Sequence, residues 1–283
     1  MRIKKTPTGN EYISVDGILV RNYIKKNVQP IGLSDLFSKA DFETILSNEE
    51  ANSRYPKISD EKFSFPKVVI VSDGYQFEEK HLALSKLPKD VCILAVNGAL
   101  RKWKIQKDRS INAYVINNPY KDCLSDLPSN YFPTCIPSIR ANSEFLKRYS
   151  GNKYTYVPTP ERFFGLKRKE EYYIDDYRNS VCACISLAYR FRVNKLALFC
   201  CDESFDKKRE AAIQLKNKLW TYPQHIKAEK IIDANLHWLR SQENSDIEVV
   251  NYSQGGEYKN ATYINSEEEL IEFFTTDGDN SDV

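Results

Sequence analysis

The chain has 283 residues, 41% hydrophobic and 28% charged, a composition that fits an ordinary globular protein and argues against disorder. Its 41 basic and 39 acidic residues leave a net charge of +2, so bulk electrostatics draws it neither to nucleic acid nor to an anionic membrane. No apolar run approaches the roughly 18 to 20 residues needed to span a bilayer, and Met1-Arg-Ile-Lys-Lys-Thr-Pro lacks the apolar core of a secretory signal, so the expected location is cytoplasmic.

Residues 1–60 read as a separate amino-terminal element. Residues 11–23 form two strands around a turn at Asp16-Gly17, and residues 33–38 and 42–46 read as short helical pieces. Residues 48–67, polar and carrying Pro56 and Pro66, read as a linker. From residue 67 strands alternate with helices. Residues 67–72, 91–96, 113–117, 134–137, 153–157, 195–201 and 247–252 are predicted strands. Helices are predicted over residues 78–86, 99–107, 142–149, 180–191 and 226–241, with Ser180 capping the fourth. Residues 275–283 read as a disordered acidic tail. This order predicts one Rossmann-like α/β domain over residues 61–274, with a mostly parallel sheet and helices on both faces. The aromatic-rich amino-terminal element is a candidate homodimer surface.

Seven cysteines, an odd number without repeated CxxC spacing, argue against a disulfide framework or a zinc site, and no metal centre is assigned. Cys92, Cys182, Cys184, Cys200 and Cys201 lie in apolar stretches and read as small core residues.

Parallel sheets bind ligands beyond the carboxyl ends of their strands, so chemistry is sought there. The first predicted strand ends in Ser72-Asp73-Gly74-Tyr75-Gln76. Gly74 lets the backbone approach a phosphate, and the following helix offers free N–H groups, or the glycine merely serves a tight turn. The next two strands end in Asn97-Gly98 and Asn117-Asn118, whose amides suit a base, ribose or phosphate or stabilise their own turns. Asp175 and Asp176 read as divalent-ion ligands or as a solvated acidic turn. Arg178, Asn179 and Ser180 follow, where a cation and helix-start N–H groups suit an anionic phosphate. Asp202, after the strongest strand, is a candidate base, sugar-hydroxyl ligand, metal ligand or helix cap. Trp220, Tyr222, Gln224 and His225 read as one loop whose aromatic faces and amide suit an acceptor, with His225 the candidate general base. Residues 140–169 are basic with interleaved aromatics, which reads as a solvated face over core aromatics or as a contact for a phosphorylated or nucleic-acid acceptor.

Taken together, residues 68–74, 93–100, 179–180 with their helix, 198–202 and 247–256 resemble a family of Rossmann-like proteins. That family includes archaeal 6-hydroxymethylpterin diphosphokinases and bacterial motility accessory factors; more distantly, the chain is similar to bacterial CMP-sialyltransferases. The resemblance covers roughly residues 67–265 and implies transfer chemistry on a nucleotide-activated donor. It places Ser72, Asp73 and Gly74 in the family's first glycine-rich loop, Asn97 after its second strand and Asp202 after its late strand. The usual Gly-x-Gly-Pro-Ser loop is replaced here, and the diphosphokinases' aspartate-rich metal pattern is not evident. Three functions compete: a glycosyltransferase using a nucleotide sugar and a hydroxyl-bearing acceptor, with Mg²⁺ not required; a diphosphokinase-like transferase using ATP and Mg²⁺; and a non-enzymatic nucleotide- or nucleic-acid-binding module.

Overall fold

The structure is a computed structural model that describes residues 2–5, 11–15, 18–22, 39–60, 63–74, 76–96, 98–102, 109–119, 132–159, 173–176, 179–201, 222–242, 246–253 and 258–276. Three short strands come first: β1 (Arg2–Lys5), β2 (Glu11–Val15) and β3 (Ile18–Asn22). They form an antiparallel sheet in which Val15 pairs with Ile18, so the expected hairpin is present and β1 adds an unforeseen third strand.

The main sheet begins with β4 (Lys67–Val71), β5 (Cys92–Val96), β6 (Ala113–Ile116) and β7 (Thr134–Pro137). A separate two-stranded ribbon follows, β8 (Val157–Pro158) with β9 (Tyr173–Ile174). The sheet is completed by β10 (Lys195–Phe199), β11 (Glu248–Tyr252) and β12 (Thr262–Tyr263). Its order is β12-β11-β10-β4-β5-β6-β7, and every pairing is parallel. The chain starts in the middle at β4, builds outward to β7, then returns to lay β10 on the other side of β4. That reversal puts the sheet's topological switch point, where such folds bind ligands, between β4 and β10 at the carboxyl edge.

Strand residues alternate between two cores because their side chains point to opposite faces. Val68, Ile70, Leu94, Val115, Leu196 and Leu198 face one layer of helices, α5 (Ser180–Arg190) and α6 (Tyr222–Arg240). Val69, Val71, Ile93, Ala95, Tyr114 and Phe199 face the other. That second layer holds α2 (Phe77–Lys80), α3 (Ala99–Lys102), α4 (Ser143–Arg148) and α7 (Glu267–Thr275). The fold is therefore α/β, Rossmann-like, with helices on both faces.

Four readings change. Residues 48–67 are not a linker: α1 (Lys39–Asn52) runs into them and Ile58 is buried in the core. Residues 153–157 are not a regular fifth strand but touch the β7 edge through isolated bridges at Lys153 and Tyr156. Residues 78–86 split into α2 and a 3-10 turn, His81–Lys86. Finally, β12 and α7 were not expected, although Ser266 and Glu269 form a reciprocal capping box that the sequence displays as Ser-x-x-Glu. Residues 33–38, 103–107 and 277–283 lie outside the described residues.

Cys92, Cys182, Cys184, Cys200 and Cys201 are all buried, as expected of core residues. Burial pushes the Cys92 thiol up to about 12 from its ordinary 9.0. The fold thus favours the neutral thiol, so this contribution is complete below the unfolded-state value and is lost as pH rises from about 9 towards 12. Urea unfolding at stepped pH should show stability falling above about pH 9, with a shallower fall in Cys92→Val.

Candidate functional site

The carboxyl edge is built by continuing the ladder past the strand ends. Ser72 N donates to Phe199 O at 3.1 Å, and Gly74 N donates to Cys200 O at 3.0 Å. The loops after β4 and β10 are thereby tied together. Cys200 adopts the left-handed conformation with φ 49°, uncommon for a residue with a Cβ, and this turns the chain out of β10. Cys201 is fixed on both sides: its N donates to Ser253 Oγ at 3.0 Å, and its O accepts from Tyr258 Oη at 2.7 Å. Asp202 itself lies outside the described residues, but its predecessor is held just past the end of β10. Because Gly74 N is spent on Cys200 O, that amide is not free for a phosphate, and α2 is too short to offer an anion site of its own.

The next strand ends complete the rim. Asn97 is outside the described residues, while Gly98 is buried directly after β5. After β6, Asn117 meets the start of α5: its Oδ1 accepts from Ser180 Oγ at 2.9 Å. Its Nδ2 is buried with no hydrogen-bond partner among the described residues. Asn118 O accepts from Asn142 N at 3.0 Å, and the Asn118 side chain is exposed.

The start of α5 differs from expectation. Asn179, not Ser180, is the cap, accepting from Val181 N at 2.8 Å and Cys182 N at 3.3 Å. Two of the amides expected to meet a phosphate are therefore already satisfied, which leaves the helix dipole as the main attraction for an anion there. Arg178 lies outside the described residues. Asp175 and Asp176 are buried, so they are not a solvated turn. Asp176 Oδ2 accepts from Tyr156 Oη at 3.2 Å. Burial, then the Asp176 charge, holds the Tyr156 hydroxyl well above its ordinary 10.0. Among the described residues no three His, Cys, Asp or Glu side chains gather as a metal site.

Tyr222, Gln224 and His225 are not in a loop. They form the first turn of α6, while Trp220 lies outside the described residues. Asn235 Nδ2 donates to Cys182 O at 2.9 Å, which sets the level of α6 against α5. At 1.5 Å per residue, the ten residues from Asn235 back to His225 carry His225 about 15 Å along the helix axis. The backbone of His225 thus stands beyond the rim rather than within it. In the basic middle segment, Tyr149 and Tyr156 are core residues. Arg140 pairs with Glu49 at 2.6 Å, and Lys153 Nζ donates to Tyr149 O at 2.6 Å. The solvated-face reading fits these residues; residues 160–172 lie outside the description.

Sequence reasoning missed Asn48, Ser253 and Tyr258, which hold the rim from behind. Nothing in their local pattern marks them, because each acts on a backbone group far away in the chain.

The fold is that of a Rossmann-like α/β protein. No family model matches the sequence, and no curated protein matches it. The structure is similar to a MAf glycosyltransferase from Magnetospirillum magneticum AMB-1, with a TM-score of 0.58 and 14% identity. The overlap covers 85% of this chain and 40% of that one, so the chain spans less than half of that protein's length. It also overlaps the sialyltransferase CstII from Campylobacter jejuni in complex with CMP-3FNeuAc (TM-score 0.33, 14% identity, 70% of this chain and 88% of that one). A second CstII structure, in complex with cytidine-5'-monophosphate, gives a TM-score of 0.36 at 14% identity, over 72% and 87%. The first likeness establishes the fold, and the CstII overlaps add nothing to it. Among the described residues no helix is long and apolar enough to cross a membrane.

The cap assignment is directly testable. Asn179→Ala should cost about 1 kcal/mol in urea unfolding, and up to about 2 kcal/mol for a well-placed cap. Ser180→Ala, which leaves the cap in place, should cost less.

Proposed function

We propose that the chain is a glycosyltransferase-like enzyme that moves a sugar from a nucleotide-activated donor to a hydroxyl-bearing acceptor. The observation that carries this reading is the Asn117 amide. It sits at the rim of adjacent parallel strands, oriented by Ser180, with Nδ2 buried and unpaired among the described residues. A buried donor without a partner costs about 1–3 kcal/mol, and an acceptor on a ligand would recover that cost. The fold shared with the MAf glycosyltransferase supports the same reading at the level of architecture.

In this proposal the nucleotide lies along the ends of β4, β5 and β6, against Ser72, Asp73, Gly74, Asn97, Gly98, Asn117 and Asn118. Its phosphate faces the positive end of α5, beside Arg178, Asn179 and Ser180. The candidate bases are Asp202, which follows Cys201 in the sequence after β10, and His225, in the first turn of α6. Either one takes the proton of the attacking hydroxyl as the acceptor oxygen bonds to the anomeric carbon and the bond to the leaving phosphate breaks. Trp220, Tyr222 and Gln224 then belong to the acceptor side. Because both Gly74 N and the first α5 amides are internally bonded, phosphate recognition relies on Arg178 and the helix dipole more than on backbone N–H groups.

Isothermal titration against CMP, UDP and GDP tests the proposal. One of them should bind, and Asn117→Ala should weaken it by about tenfold, the loss of roughly one hydrogen bond to a charged or polar acceptor. No binding of any of the three sinks the reading. Stabilisation by ATP with Mg²⁺ alone would favour the diphosphokinase, and salt-dependent retention on RNA or DNA would favour the binding module.

A further inference from the structure

Two asparagines on α1 are buried, in a stretch whose composition reads as linker. Asn48 and Asn52 are 5% and 0% exposed. Lying four residues apart, they share one helix face. With Ile45 three residues earlier, also buried, they form the stripe by which α1 meets the domain. A stripe that places amides where apolar side chains are expected has a specific task, because every buried amide needs partners.

Those partners are backbone groups of the rim loops. Asn48 Nδ2 donates to Pro119 O at 3.0 Å and Arg140 O at 3.3 Å, while Asn48 Oδ1 accepts from Ser143 N at 3.1 Å. Asn52 Nδ2 donates to Ile139 O at 3.0 Å and Ala141 O at 2.7 Å. Both side chains therefore hold the turn between β7 and α4. Only Asn48 also reaches the loop after β6.

That loop carries Asn117. Its backbone is pinned at three carbonyls. Ile116 O accepts from Ser138 N at 2.7 Å, and Asn118 O accepts from Asn142 N at 3.0 Å. Pro119 O accepts from Asn48. The first two donors are backbone amides of the neighbouring turn, and Asn48 bonds that same turn through Arg140 O and Ser143 N. Asn48 thus sets the spacing between the two loops, and with it the place of the Asn117 amide.

We propose that Asn48 is a positioning residue for ligand binding at the rim: it holds the Asn117–Pro119 loop in its binding geometry from outside the site. The proposal rests on the nucleotide reading of that rim. Asn52 supplies the internal control: it has the same residue type, the same helix face and full burial, but its Nδ2 bonds the β7–α4 turn alone and its Oδ1 has no partner among the described residues.

The experiment compares Asn48→Ala, Asn48→Ser and Asn52→Ala, with Asn48→Ser as the milder change should the alanine variant not fold. Two readouts are needed. The first is titration with CMP, UDP and GDP alongside thermal unfolding. The Asn48 variants should bind about tenfold more weakly, while Asn52→Ala loses comparable thermal stability at near-normal affinity. The second is hydrogen exchange at the amides of Asn117 and Asn118 without ligand. Exchange should rise in the Asn48 variants and stay near wild type in Asn52→Ala. Equal effects of the two positions on affinity or on exchange would reduce Asn48 to a stability role and overturn the proposal. If no nucleotide binds the wild-type chain, the nucleotide reading falls by itself. The exchange comparison then decides whether Asn48 holds the loop.

Discussion

Strands that all run the same way must release their chains at one edge of the sheet. Here the interior strands β5, β6 and β10 are buried along their whole length, so no loop can emerge through a face. The register makes this strict. Val71, Phe199 and Tyr252 stand level across β4, β10 and β11, while β5 ends one residue and β6 two residues further along. Segments separated by more than a hundred residues are thereby delivered side by side. The candidate site depends on this parallel alignment, not on any local motif.

What the edge does with its polar groups then decides its chemistry. Most backbone groups there are spent on the protein itself: Gly74 N on Cys200 O, Cys201 N on Ser253, and the first α5 amides on Asn179. A fully satisfied edge would be rigid and inert, because buried polar groups gain nothing further by meeting a ligand. The Asn117 Nδ2 is a buried side-chain donor at this edge with no hydrogen-bond partner among the described residues. Its rigidity has two sources, the Ser180 hydroxyl in front and the pinned backbone behind, and α1 contributes to the second. Preorganised donors of this kind cost little to order when a ligand arrives, which is the condition for useful affinity.

The sheet was legible because buried parallel strands leave dense β-branched runs such as Val68-Val-Ile-Val, closed by polar or small residues. The rim was legible for the same reason, since strand ends announce themselves. The order of strands was not, because nothing in residues 67–71 or 195–199 says that they will be neighbours. Local polarity also misled. It made residues 48–67 look like a linker, although Asn48 and Asn52 are polar precisely because their partners are carbonyls. It made Asp175 and Asp176 look solvated, although they are buried beside Tyr156. The cap of α5 slipped by one residue, from Ser180 to Asn179, because both types cap well and only backbone angles separate them. By contrast, the capping box at the start of α7 is local and stands in the sequence as Ser266-x-x-Glu269.

The most direct measurement is a crystal structure of the full chain grown with the nucleotide that binds it. The account predicts ligand density at the carboxyl edge between β10 and β6, with a ligand oxygen or ring nitrogen within hydrogen-bond reach of Asn117 Nδ2. Density at the opposite edge of the sheet, or on the outer surface of the helices with Asn117 untouched, would contradict it.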